Sequence, residues 1–170
     1  HGCLVGSEMC IRDRSKGNQV HPEERLSAPI VLEYPFTRTT GPVIGAFMTG
    51  LREKIMLGIK REDGSVLVPP TEYDPVTSKA LTEMVEVGQT GEVTTWTWVQ
   101  DPRDQSPWDT PHALAMILLD GSDTPFLHAV LVENSDLMKT GMRVSIKWKN
   151  ETEGHIQDIE GFVPEKENNA

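Results

Sequence analysis

From Met142 to Lys149 apolar and polar residues alternate without a slip. Met142, Val144, Ile146 and Trp148 fall on one side, and Arg143, Ser145, Lys147 and Lys149 on the other. A period of two is the pleat of a β-strand, and a strict one means one buried face and one wet face. Most of the chain after Leu81 obeys the same rule. In TGEVTTWTWV, Val93, Thr95, Thr97 and Val99 share one face while Trp96 and Trp98 share the other. Gly88 and Gly91 read as bend points in one long curved strand from Glu83 to Val99. The run Ala113 to Leu119 is apolar on both faces and belongs at the centre of a sheet, and Gly121-Ser122 turns it into the equally apolar 125–132. A last strand runs from His155 to Val163. Ser135 to Met138, between the third and fourth strands, reads as a short helix capped by Ser135 and ended by Gly141.

Five strands, a glycine-bent first one and a helix inserted after the third form the ground plan of an OB-fold barrel. The same strands also suit an open antiparallel sandwich; the inserted helix favours the barrel. With 170 residues, 37% of them hydrophobic, the chain is long enough to bury such a core.

The N-terminal half has a different grammar. Residues 17–40 mix polar residues and prolines with one strand-like run, Ile30 to Leu32, and read as an extended arm docking Val31, Tyr34 and Phe36 on the body. Thr40-Gly41-Pro42 opens a helix, with Thr40 as N-cap and Pro42 in the first turn. Val43, Ile44, Phe47, Leu51 and Ile55 make its apolar stripe, and Gly58 is its latest end. A finger follows: two strands around Asp63-Gly64, a pair that accepts a type I′ turn, then Pro69-Pro70 and a second turn at Asp74-Pro75. The expected organisation is thus a helix plus finger over 41–82, the barrel over 83–164 and a solvated tail over 165–170. Ser7 to Arg14 resemble translated sequencing-adapter read-through, so the first 16 residues are read as an artefact or a disordered tail. Both cysteines, Cys3 and Cys10, fall there, which leaves the body without disulfides or thiolate ligands. With no signal-peptide-like block, that suits the cytoplasm.

Charge narrows the partners. Sixteen basic against 26 acidic residues give a net charge of -10, which repels a phosphate backbone unless the cations cluster. Only Arg143, Lys147 and Lys149 make such a row, so no nucleic-acid partner is expected. No apolar run reaches the roughly 18 residues of a membrane span, and no membrane partner is expected either.

Catalytic patterns are missing: no Ser-His-Asp order, no His-x-x-x-His pair and no phosphate-binding glycine loop. His128, alternating with Phe126 and Val130, reads as a core or barrel-mouth histidine. His112 stands at the entry of a strand. Asp101, Asp104 and Asp109 read as one solvated loop, and Glu83 and Glu86 as outer-face charges. Trp96, Trp98 and Trp108 allow two readings. They form either a stacking platform of the kind OB folds offer to bases, or a cover where the helix or finger docks.

Taken in order, FMTGLREKIMLGIK, GSVLVPP, VGQTGEVTTWTWV and TGMRVSIKW resemble the acyl-CoA-associated OB-fold proteins over residues 34–164. That family carries a helix, a rubredoxin-like zinc ribbon and an OB domain. The resemblance places its two Cys-x-x-Cys pairs at Lys60 and Asp63, then at Asp74 and Thr77. None of these residues is a thiolate or imidazole donor, so a metal-free, degenerate ribbon is expected, with no cofactor. Apolar docking of Leu67, Val68 and Tyr73, helped by a Lys60–Asp63 or Lys60–Asp74 ion pair, is expected to hold it.

The resemblance further implies a non-catalytic accessory subunit that docks on a thiolase-like or hydratase enzyme and helps seat a CoA thioester. Its contact residues would be Trp96, Trp98, Trp108, His112 and Tyr73. A stand-alone acyl-CoA-binding module, or a single-stranded nucleic-acid-binding OB protein, are the alternatives.

Overall fold

A computed structural model describes residues 29–165, apart from Leu32, Tyr34 and Phe36. The chain divides into two units, residues 1–37 and 38–170. The described residues of the first unit carry no regular secondary structure. The docking expected of Tyr34 and Phe36, and the readings of residues 1–16 and 166–170, lie outside the described residues.

The second unit opens with helix α1, Gly41–Arg52. Thr40 occupies the N-cap position but its side chain caps nothing, because its backbone is already in the helical region. Pro42 sits in the first turn as expected. The helix stops before Gly58. Lys54 takes a left-handed conformation (φ 60°), its amide bonds Leu51 O at 3.1 Å and the Ile55 amide bonds Gly50 O at 2.8 Å. That is a Schellman closure with lysine where glycine is usual. Val43, Phe47 and Leu51 are buried. Phe47 and Leu51 reach the main core, whereas Val43 joins Ile59, Leu67 and Leu81 in a second, smaller one.

The finger is a three-stranded antiparallel sheet, β1 (Leu57–Lys60), β2 (Val66–Leu67) and β3 (Met84–Glu86), in the order β2-β1-β3. The hairpin expected at Asp63-Gly64 is present, with Ile59 opposite Leu67 and Lys60 opposite Val66. Its turn is not type I′, since Gly64 alone has a positive φ there (88°) and the loop closes through Arg61 N to Ser65 O at 2.8 Å. Met84–Glu86 pairs with β1, so the stretch from Glu83 to Val99 is two strands and not one curved strand. The chain leaves the finger at Val87 and joins the barrel at Thr90.

The barrel is closed. Its strands are β4 (Thr90–Val99), β5 (His112–Leu119), β6 (Phe126–Val130), β7 (Arg143–Trp148) and β8 (Ile159–Pro164), in the order β4-β5-β6-β8-β7. This is the OB-fold topology, and it settles against the open sandwich. Closure comes from β4, which pairs β5 along most of its length and β7 at Thr90–Glu92. Gly91 is needed at that double contact: a Cβ there would lie 2.5 Å from Leu118 O and 3.0 Å from the Ile117 side chain. Val93, Ile117, Phe126, Val130, Val144, Ile159 and Phe162 fill the interior, all essentially inaccessible.

Two short 3-10 turns join the strands. The one between β6 and β7 is Ser135–Leu137, and its cap is Asn134, whose side chain accepts from Asp136 N. Ser135 therefore lies inside the turn and does not cap it. The other, Ile156–Asp158, absorbs the start of the expected last strand, with His155 as its cap. Buried Asp158 accepts from the amides of Glu153, Gly154 and His155 and pins that loop.

Backbone bonds sew finger to barrel. The β5–β6 turn offers Asp123 and Thr124 to the edge of β2: Val66 N donates to Asp123 Oδ2 at 2.8 Å, and Asp123 N to Val66 O at 2.9 Å. Val68 N donates to Thr124 Oγ1 at 2.8 Å, and that hydroxyl donates on to Val68 O at 3.0 Å. An edge strand left open would be a pairing hazard; here it is covered.

Candidate functional site

Strand β4 decides where the tryptophans go. Val93 faces Ile117 and Thr95 faces Met116, so Thr94 is an extra residue with no partner on β5. Such a bulge inverts the side-chain parity beyond it. Val93 points inward before the bulge. Past it, Trp96 lies opposite Ala115 and Trp98 opposite Ala113, both half-buried against the barrel core. The small alanines across the ladder leave room for the indoles. Trp98 Nε1 is satisfied by Gln100 Oε1 at 3.0 Å.

At the mouth end of the same strands the β4–β5 loop folds Trp108 back over the barrel. Its Nε1 donates to Glu160 O at 2.8 Å. The ring sits 5.2 Å from His112 and 5.4 Å, edge-on, from His128. His128 in turn stacks on Phe126 at 5.7 Å with planes 15° apart, and meets Phe162 edge-on at 5.7 Å. Both histidines are buried, at 2% and 7% exposure. His112 Nδ1 bonds Thr110 O at 2.8 Å. His128 Nδ1 has no partner among the described residues, and burial pulls the imidazole down to about 4. It is neutral at pH 7. The expectation of a buried histidine on β6 holds, although its ring nitrogen is left unsatisfied.

Trp108 and His112 thus meet directly, while Trp98 lies on β4 opposite Ala113. Tyr73 stands apart. It is 61% exposed on the finger and lines a 290 Å³ cleft with Pro42, Val43, Leu81 and Met84. It therefore does not dock the finger. Leu67 and Val68 do: Leu67 in the small core with Val43, Val68 in the main core. A second depression, about 500 Å³ and open, borders Thr110, Pro111, Leu131, Val132, Leu137 and Pro164. No sequence pattern announced it, because its residues come from four separate segments.

The outer face of β5 and β6 is apolar as well. Leu118 is 36% and Leu127 60% exposed, and Leu114 and Met116 are half-buried beside them. The cationic row on β7 is largely spent: Arg143 Nη1 bonds Asp120 Oδ1 at 2.7 Å and Lys147 Nζ bonds Glu160 Oε1 at 2.6 Å.

The four positions where a ribbon metal is implied do not make a metal site. Lys60 Nζ pairs with Glu83 Oε1 at 3.2 Å, so neither Lys60 ion pair expected from the sequence forms. Asp63 and Asp74 both turn to Arg61, at 2.7 Å each. Thr77 contributes only its amide, to Asp74 Oδ1 at 2.8 Å. A guanidinium fills the place between the carboxylates, and zinc does not fit. Arg61 was the residue that sequence reading missed, because nothing in KREDG marks which of its cations reaches inward. Among the described residues no group of three or more His, Cys, Asp or Glu side chains gathers to hold a metal ion.

Residues 84–149 match the family described as "ChsH2, C-terminal OB-fold domain". Among solved structures, a chain of the "Ltp2-ChsH2(DUF35) aldolase" superposes with a TM-score of 0.55 at 18% identity, covering 75% of this chain and 98% of that one. A DUF35-family protein of unknown function from Sulfolobus solfataricus superposes with a TM-score of 0.50 at 21% identity, covering 63% of this chain and 78% of that one. No curated protein sequence matches the chain.

Proposed function

Because residues 84–149 match the model of the ChsH2 C-terminal OB-fold domain and the barrel has OB topology, we propose that the chain is a non-catalytic accessory subunit. It docks on a thiolase-like or related acyl-CoA enzyme, where it helps seat the CoA thioester. The observation that carries this reading is the solved neighbour, a chain of the "Ltp2-ChsH2(DUF35) aldolase", whose length this chain covers almost completely. The side-chain chemistry agrees with it. The two buried histidines face aromatic rings and a backbone carbonyl, and neither is hydrogen-bonded to a carboxylate or a nucleophile among the described residues. The OB face made by the second and third barrel strands, where members of this fold class grip oligonucleotides, presents leucine and methionine here. With the β7 cations paired, that face suits an apolar protein surface better than a phosphate backbone.

Co-expression with a thiolase-like partner encoded alongside, followed by size exclusion, tests the proposal. Co-elution, with no turnover by this chain alone, is the expected result. Separate elution without any effect on the partner's activity would overturn it. Calorimetry with an acyl-CoA serves the alternative: tight binding by the isolated chain would make it a stand-alone acyl-CoA module. Trp108, bonded to Glu160 O over the buried His112, would then have to move aside.

A further inference from the structure

A ribbon closed by zinc brings ligands from two separate loops to one ion, and the ion cross-links them. The finger of this chain has two such loops, the β1–β2 turn and residues 71–80, yet residues 57–86 contain no cysteine and no histidine. What joins the loops is Arg61. Its Nη1 donates to Asp63 Oδ2 at 2.7 Å and to Ser65 Oγ at 3.1 Å within its own turn. Its Nε and Nη2 reach across to Asp74, to Oδ2 at 2.7 Å and Oδ1 at 3.2 Å. The Asp74 carboxylate is buried at 5% exposure and also accepts from Val76 N and Thr77 N, both at 2.8 Å. Around it the second loop doubles back through Asp74 N to Lys79 O at 2.8 Å and Leu81 N to Glu72 O at 2.9 Å. Asp63 is held in turn by Ser65, whose amide and hydroxyl donate to Oδ1 at 3.0 and 2.6 Å.

We infer that Arg61 is the internal cation of this finger: it does the cross-linking that a metal ion does in a ribbon, and the finger closes without metal. The geometry is specific to arginine. A planar fork engages two carboxylates and a hydroxyl at once, whereas an ammonium offers a point charge without the bidentate fit. The fixed positive charge also excludes a divalent ion from the space between Asp63 and Asp74. Such a clip needs no loading, and no chelator can remove it.

The test is hydrogen exchange by mass spectrometry on the full chain, produced with zinc in the medium and assayed for metal. The expected result is no stoichiometric zinc, and exchange in residues 61–66 and 73–80 that neither chelator nor added zinc alters. Arg61→Gln should speed exchange in those segments by on the order of tenfold, leaving β5 and β6 amides unchanged, and Arg61→Lys should not restore it. Asp74→Asn, which keeps the side-chain shape and an acceptor oxygen, gives a milder version should the arginine variant fail to fold. One zinc per chain, a chelator-induced rise in finger exchange, or unchanged exchange in both Arg61→Gln and Asp74→Asn would overturn the inference.

Discussion

His128 is buried on its strand, but its Nδ1 has no hydrogen-bond partner among the described residues. A strand alternating Phe126, His128 and Val130 predicts burial, and burial is what the barrel gives. The energetic consequence follows from the sign of the shift. The folded state holds the imidazole near 4, while an unfolded histidine titrates near about 6.5. Between those values the unfolded chain binds the extra proton, so stability falls as pH drops through that window. The loss should approach on the order of 3 kcal/mol by pH 4, taking about 1.4 kcal/mol per pK unit. Carboxylates held low act elsewhere. Asp120, brought down to about 2 chiefly by the Arg143 guanidinium, keeps its contribution until pH falls below the ordinary carboxylate range of about 4. Denaturant melts between pH 7 and 4.5 should therefore show a clear acid slope, and His128→Phe should flatten it. An equal slope in the variant would mean that other groups carry the effect.

At the scale of the element, one residue sets the fate of a whole strand. With Thr94 counted in the ladder, strict alternation would put Trp96 and Trp98 on the face opposite Val93, which is how the sequence divides them. The bulge turns both indoles to the side of Val93, opposite Ala115 and Ala113. Deleting Thr94 takes out the extra residue, so Val93, Trp96 and Trp98 fall in simple alternation on one face, and both indoles should stay against the core. That predicts a folded variant whose tryptophan emission is not red-shifted. A red-shifted spectrum in a folded variant would rule the bulge out as what sets the face of the indoles. No pattern in TGEVTTWTWV reveals an extra residue, because a bulge exists only relative to a partner strand. The β7 alternation, by contrast, carried over intact: Val144 is buried, Ile146 and Trp148 half-buried, and Arg143 and Lys147 outward.

Across the whole second unit, finger and barrel share both backbone bonds and core. Val68 stands in the main core while its amide and carbonyl hold Thr124 of the barrel. The pair should then unfold together. Amides of β1 and β5 are expected to show the same denaturant dependence of exchange, as one cooperative unit requires. Asp123→Ala combined with Thr124→Val removes the side-chain half of the bridge and should lower finger protection well before barrel protection. If the finger already exchanges independently in the unaltered chain, the bridge is not what couples them.

Local sequence determined those features that depend on near neighbours. The period of two, the helix with its buried stripe, the Asp-Gly hairpin and the strand inventory of the barrel all follow from side-chain pattern and turn chemistry within a few residues. Tertiary structure alone decided features that depend on what lies across a gap. It closed the barrel through Gly91, gave Met84–Glu86 to the finger, turned the tryptophans inward and chose Arg61 over Lys60 as the cation between Asp63 and Asp74. The reason is that strand partners and charge partners are fixed by burial and chain closure, and neither is written in the order of the residues on one segment.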